Sequence, residues 1–291
     1  MSPRVDAVPL GREALLPRRV SLRRVLAAFL RRDLAVSMSY RPATVMRFLN
    51  MLVLLCAIGF LGRFVTQSGA KLPVERYGEA GYMGYWLIGV VAAGVFQSFL
   101  AALGRRIREA QLEGTLEAML STPAPVLYVI VGTAQSQVLF SMFRGVGYLV
   151  AGALLFGVRF GPVNLGSLAL VVVLSLVAFG TLGLLGGAVT LVARKTDPLT
   201  SAVGMFAVLF GGIFFPVDVL PAGLRDLAYA LPLTPSAEAL RRAVFTGAPL
   251  IELHKELAWL AGFVLVMAPL GTWLFARALR RAREDGSLGQ Y

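Results

Sequence analysis

The sequence has 291 residues, 57% of them hydrophobic and 15% charged, with a mean hydropathy of +0.73 and a formal net charge of +12. That balance excludes an ordinary soluble protein, because no polar run is long enough to build a separate water-soluble core; basic charge on so apolar a chain records topology and contact with anionic lipid headgroups, not nucleic-acid binding. One cysteine, Cys56, inside an apolar run excludes a disulfide framework and a cysteine-rich metal site.

The first forty residues are arginine-rich and lack the short apolar core and cleavage site of a secretory signal. Residues 1–41 read as a cytoplasmic tail in which Leu22, Val25, Leu26, Phe29 and Leu30 recur at i, i+3, i+4, i+7, i+8, with Arg24 and Arg31 on the other side. Such a helix lies in the membrane interface with its arginines on lipid phosphates.

Residues 42–291 read as one all-α polytopic membrane domain. Crossing the hydrocarbon takes about 20 apolar residues in helix, and six stretches meet or approach that length: 44–61, 83–103, 126–156, 165–193, 199–215 and 257–276. The third and fourth are long enough to require tilt, a kink at glycine or extension beyond the lipid. With the N-terminus inside, 18 of the 28 Lys and Arg fall in inner segments and 8 in outer ones, so both termini are predicted to be cytoplasmic.

Between the second and third spans, residues 105–125 form a charged segment with Ile107, Leu112, Leu116, Met119 and Leu120 as an apolar stripe. Glu109, Glu113 and Glu117 recur at i, i+4, i+8 and line one face, where they repel one another unless something basic sits opposite. The third span gathers Gln135, Ser136, Gln137, Ser141 and Arg144. A charge at mid-span costs at least about 2.5–3.5 kcal/mol, so Arg144 is expected to face the bundle, a wet cavity or an anionic substrate headgroup.

After the fifth span, residues 216–247 break on Pro216, Pro221, Pro232 and Pro235 and continue in two pieces of about ten residues, roughly 15 Å each as helix, too short to cross. They read as a re-entrant hairpin packed against the bundle at the extracellular mouth, with Thr234 as N-cap and Pro235 in the first turn of its second piece. A catalytic site is absent from this reading: none of the lysines, Lys71, Lys195 and Lys255, follows the glycine that a phosphate-binding loop needs, and the single histidine, His254, falls in an outer loop. No carboxylate lies within the six spans, which removes the usual parts of an ion-driven transporter.

Two stretches carry a resemblance. REAQLEGTLEAMLSTP is similar to the cytoplasmic segment of type-2 ABC-exporter permeases, and GGIFFPVDVLPAGLRDLAYALPLTPSAEALRRAVFTG resembles the same family's signature after its fifth helix. The resemblance implies six membrane helices in a prokaryotic inner membrane, a second permease copy as homodimer or heterodimer, and two separately encoded cytosolic ATPase subunits. Those partners would bind ATP and Mg, with no cofactor in this chain. It further implies that Glu109, Glu113, Gly114, Thr115, Leu116 and Glu117 couple to the ATPase, and that Gly211, Gly212, Pro216, Pro221, Pro232, Glu238 and Arg241 belong to a re-entrant gate. Phe96, Phe99, Phe206, Phe210, Phe214 and Phe215, with Arg144, are candidates for the pathway. The expected function is export of a hydrophobic, lipid-like or drug-like substrate; a glycan or lipid-linked glycan exporter, or a non-transport membrane scaffold, are the alternatives.

Overall fold

The computed structural model describes residues 31, 41–67, 81–112, 126–193 and 198–284. Among them the chain is helical, without a strand. The elements are α1 (Arg41–Gln67), α2 (Gly81–Leu112), α3 (Val126–Phe156), α4 (Leu165–Ala193), α5 (Pro198–Phe210), a 3-10 turn (Val217–Val219), α6 (Ala222–Ala230), α7 (Leu233–Arg241), a π turn (Arg242–Thr246) and α8 (His254–Glu284). The expected interfacial helix lies outside the described residues apart from Arg31, which is helical and exposed.

Four of these helices are long and apolar enough to cross a membrane, over 81–109, 137–156, 165–192 and 254–282. The apolar runs read for the third and fourth spans coincide with α3 and α4 end to end, and each runs as one unbroken helix of 31 and 29 residues. At the first, second and sixth expected spans the helices extend beyond the apolar stretches that marked them, into flanking polar sequence, since adding a residue to an existing helix costs little. Pro269 lies inside α8 without ending it.

The fifth span differs from the expectation. Helix α5 stops at Phe210 instead of reaching Phe215, because Gly211 and Gly212 follow. The Gly211 N–H still donates to the Ala207 carbonyl at 2.8 Å, but Gly212 takes φ +78°, a left-handed conformation that glycine adopts without steric cost. Apolarity ran on through residues 213–215, whereas backbone geometry did not.

Helix α2 is the centre of the molecule: 61% of its most apolar window is buried, against 33% in α4, 17% in α3 and 11% in α8. It packs on α3 and α4, and α4 packs in turn on α8. Small residues let α2 and α4 approach closely, as helices in lipid require when no hydrophobic effect drives their association. The buried core runs the length of this contact. Leu55, Tyr85, Leu87, Ile88 and Phe245 gather at one end, Ala92, Phe96, Phe179, Ala207 and Leu233 in the middle, and Leu103, Ile107, Leu191, Phe275 and Ala278 at the other.

Helix α1 touches this core through Leu55, Ile58, Gly59 and Gly62, spaced i, i+3, i+4, i+7, while Phe60 and Phe64 are largely exposed. Cys56 is exposed on the same helix. Asn164 caps α4, its Oδ1 accepting from the Ser167 N–H at 3.1 Å while its own N–H donates to the Ala243 carbonyl at 3.3 Å. One cap thereby ties the α3–α4 connection to the π turn. All the short elements, 211–253, sit at the end of the bundle where α2 begins and α3 finishes. We call it the hairpin end and the opposite one the arginine end, after Arg105, Arg106 and Arg108.

Candidate functional site

The first two turns of α2 present Tyr82, Tyr85, Trp86 and Gly89 at i, i+3, i+4, i+7, one helix face. That face receives the chain leaving α5. The Tyr82 hydroxyl donates to the Phe214 carbonyl at 2.8 Å, the Tyr85 hydroxyl donates to the Gly212 carbonyl at 2.6 Å, and the Trp86 ring lies 5.8 Å from the Phe214 ring. Residues 211–215 are therefore held to α2 by named donors despite having left helical geometry, which answers the demand that buried backbone be paired.

Arg241 closes the site from the far end of α7. It is 2% exposed; its Nε donates to the Tyr85 carbonyl at 2.9 Å, its Nη2 donates to the Gly212 carbonyl at 2.7 Å, and its guanidinium lies 3.6 Å above the Tyr85 ring. Reaching a backbone carbonyl in mid-helix requires a gap in the side-chain cover, and Gly89 provides it. A Cβ there would stand 2.6 Å from the Arg241 Nη2. The cation also sits just beyond the C-terminal end of α5, where the helix dipole favours positive charge. Glu238, one turn earlier, approaches the guanidinium at 3.9 Å.

Three of the four prolines precede a helical element, and Pro235 lies in the first turn of α7. Pro216 leads into the 3-10 turn, Pro221 into α6 and Pro232 into α7, the place where a missing N–H costs least. Thr234 is not the N-cap expected from the sequence: α7 begins one residue earlier, and the Thr234 hydroxyl donates to the Ala228 carbonyl at 2.8 Å, tying α7 back to α6. The two short helices differ in environment. Leu233, Thr234, Pro235, Ser236, Ala237, Ala239 and Arg241 of α7 are buried, whereas α6 buries only Ala228.

Beyond α7 the π turn is anchored to α8, since Arg242 pairs with Glu256 at 2.9 Å and approaches Glu252 at 3.7 Å. Phe245 stacks on Phe160 of the α3–α4 connection with ring centroids 6.0 Å apart. Between these elements lies a cavity of about 450 Å³, lined among others by Tyr85, Asp218, Tyr229, Glu238, Arg242 and Glu256. Its lining mixes charged and hydroxyl groups with Gly211, Gly212, Pro216 and Val217.

The remaining predicted residues fall into separate places. Phe96 is fully enclosed in the core, edge-to-face with Phe179 at 5.2 Å, which leaves its ring no face for a substrate in this conformation. Phe99 is half-buried against the same ring at 6.4 Å. Phe206 and Phe210 pair at 5.0 Å on α5, half-buried, as are Phe214 and Phe215. Gly211, Gly212, Pro216 and Pro232 are buried, while Pro221 is exposed. Arg144 does not face the bundle: it is exposed on α3, because the inward face of that helix is taken by Ser141 and Gly145. His254 is exposed at the start of α8, its Nδ1 2.7 Å from the Ile251 carbonyl.

At the arginine end, Glu109 pairs with Arg106 at 3.1 Å and is half exposed, and Arg105 donates to Gln137 of α3 at 3.2 Å. Glu113, Gly114, Thr115, Leu116 and Glu117 lie outside the described residues. The groups that sequence reading missed are Tyr82, Tyr85, Trp86 and Gly89. Their signal was an aromatic face at helical spacing with a glycine one turn on.

The sequence profile of the ABC-2 type transporter family matches residues 24–245. Nodulation protein J of Rhizobium leguminosarum bv. trifolii is 28% identical over 228 residues, covering 75% of this chain and 82% of the relative. The inner membrane transport permease YadH of Escherichia coli K12 is 29% identical over 156 residues, 52% of this chain and 59% of that protein. The matched stretch of the profile ends at Phe245, four residues past Arg241, so it takes in the whole clasp.

Proposed function

Since the chain belongs to the ABC-2 type transporter family, we propose that it is the membrane-embedded permease of an ATP-driven exporter that moves a hydrophobic, lipid-like or drug-like substrate outward. The observation that carries this reading is the placement of α2. One helix holds the Arg241 clasp near its start and the Arg106–Glu109 pair near its other end, at the threshold of the 105–125 segment. Cytosolic ATPase partners, two per assembly, would press on that segment, and a rigid helix can pass displacement on.

In this reading the hairpin end faces outward, residues 216–247 dip into the outer leaflet as a re-entrant gate, and α1 and α5 complete six spans. Both termini are then cytoplasmic, in a prokaryotic inner membrane, and a second permease copy completes the pathway. The exposed apolar faces of α1, including Phe60 and Phe64, and of α5, including Met205 and Leu209, support such a pairing. The charged and hydroxyl groups in the cavity beside Arg242 and Glu256 favour a second reading of the cargo, a glycan or lipid-linked glycan, whose hydroxyls such groups would bind.

The test is assembly. Purified with a P-loop ATPase encoded beside it, the chain is expected to bind that partner and stimulate its ATP turnover. Charge reversal in Glu113→Lys should cut the stimulation about tenfold, because a basic docking surface then meets like charge. Normal turnover in that variant would remove Glu113 from coupling, and failure to engage any such ATPase would remove the exporter.

A further inference from the structure

Arg144 lies twelve residues before the end of α3 at Phe156, so it stands about 18 Å from the hairpin end, near the middle of a hydrocarbon layer of about 30 Å. It is exposed, and Phe143 beside it is 77% exposed, Leu139 47% and Val146 56%. An arginine on such a surface is costly unless an anion or water accompanies it. Among the described residues Arg144 makes no ion pair, and α1, α3, α4 and α5 contain no carboxylate at all. Among the described residues nothing acidic stands at that depth.

Arg144 is also not isolated. Gln137, Arg144 and Tyr148 recur at i, i+7, i+11 and share one face of α3, Gln137 and Tyr148 half-buried at its edge. Gln137 accepts from Arg105 Nη2 at 3.2 Å, so the polar stripe joins a second guanidinium at the arginine end. The result is a cationic, hydrogen-bonding strip that starts where lipid headgroups sit and climbs to mid-bilayer beside the exposed apolar face of Leu139, Phe143 and Val146.

We propose that this face of α3 binds the phosphate of an anionic phospholipid, drawn from the arginine-end leaflet to the depth of Arg144 while its acyl chains stay in lipid. A net negative headgroup neutralises the strip, whereas the ammonium of a zwitterionic one meets like charge. The site deepens the transport reading and rests on it only for its consequence, that the cargo class is an amphiphile with an anionic headgroup entering from the side. Binding itself is measured without any ATPase.

The full chain is reconstituted with spin-labelled phosphatidylglycerol or phosphatidylcholine, and the motionally restricted fraction of each is compared at low salt and at about 1 M salt, where the screening length falls to about 3 Å. Headgroup contacts at the membrane surface then fade, but a contact inside the hydrocarbon persists. The wild type is expected to keep a several-fold preference for phosphatidylglycerol at high salt, Arg144→Lys to retain most of it, and Arg144→Leu to bring the ratio to about one, the loss of one charge-assisted bond. Arg144→Gln serves as a second neutral variant should the leucine form aggregate. A wild-type ratio near one at high salt, or an unchanged ratio in either neutral variant, overturns the site. Should ATP stimulation fail while the selectivity stands, the exporter reading falls and the lipid site remains.

Discussion

Arg241→Ala is expected to cost the folded subunit about 3–5 kcal/mol and to abolish transport, the largest single loss predicted for this chain. The substitution removes two charge-assisted bonds, to the carbonyls of Tyr85 and Gly212, together with the cation–π contact at 3.6 Å. It also opens a void where a 2% exposed side chain had packed. Arg241→Lys should recover little, because one ammonium cannot span two carbonyls from a single planar fork. Gly89→Val tests the same clasp from the other side by filling the space of Arg241 Nη2. Thermal unfolding in detergent, followed by fluorescence-detected gel filtration, measures all three. A melting curve like the wild type's for Arg241→Ala would mean that residues 211–215 are held to α2 by the tyrosines alone.

Gly183→Leu is expected to be nearly as damaging, for a reason unrelated to charge. Gly183 of α4 faces the α2 backbone so closely that a Cβ would stand 2.6 Å from the Phe99 carbonyl oxygen. Backbone cannot rotate away as a side chain can. Gly187 packs on Leu103 one turn further, and a Cβ at Gly186 would lie 3.2 Å from the Leu100 carbonyl, so the crossing has no slack on either side. Overpacking of about 1–3 kcal/mol is the ordinary cost, and separating two helix backbones belongs at or above its upper end. Gly183→Ala should fall between the two. A leucine variant that yields wild-type amounts of monodisperse protein would show that the α2–α4 contact is looser than the structure has it.

Sequence alone carried the fold class and the long spans because length and apolarity are sufficient to define a helix in lipid. The boundaries of α3 and α4 could be read directly, since polar residues, glycine or proline bound both runs. The end of α5 could not. Residues 213–215 are as apolar as any helix, and what stops the helix is the left-handed turn at Gly212, a backbone property to which hydropathy is blind. The hairpin was visible as two short pieces between prolines that looked alike by composition, and only packing separates the sealed α7 from the exposed α6.

The charges were harder still. Arg241, counted as one of the outer cations in the topology, turns out to be interior, because its acceptors are backbone carbonyls that no sequence pattern advertises. Arg144, expected to face the bundle, a wet cavity or an anionic headgroup, is exposed on α3 and does not face the bundle. In both cases the sign and number of charges were legible, but their direction was not, since direction depends on which face of a helix its neighbours have already occupied. The Tyr85–Gly89 half of the clasp was in plain sight as spacing and lacked only its partner.

Between Gly89, which opens the groove for Arg241, and Glu109, at the threshold of the 105–125 segment, α2 runs twenty residues without a break, about 30 Å of continuous helix. A rod gripped at both ends has few ways to move. If it tilts about the tight α2–α4 crossing near Gly183, its two ends swing in opposite senses, so widening on one side of the bilayer accompanies narrowing on the other. Access from the two sides would then exclude each other through the stiffness of a single helix, with no separate latch to be synchronised.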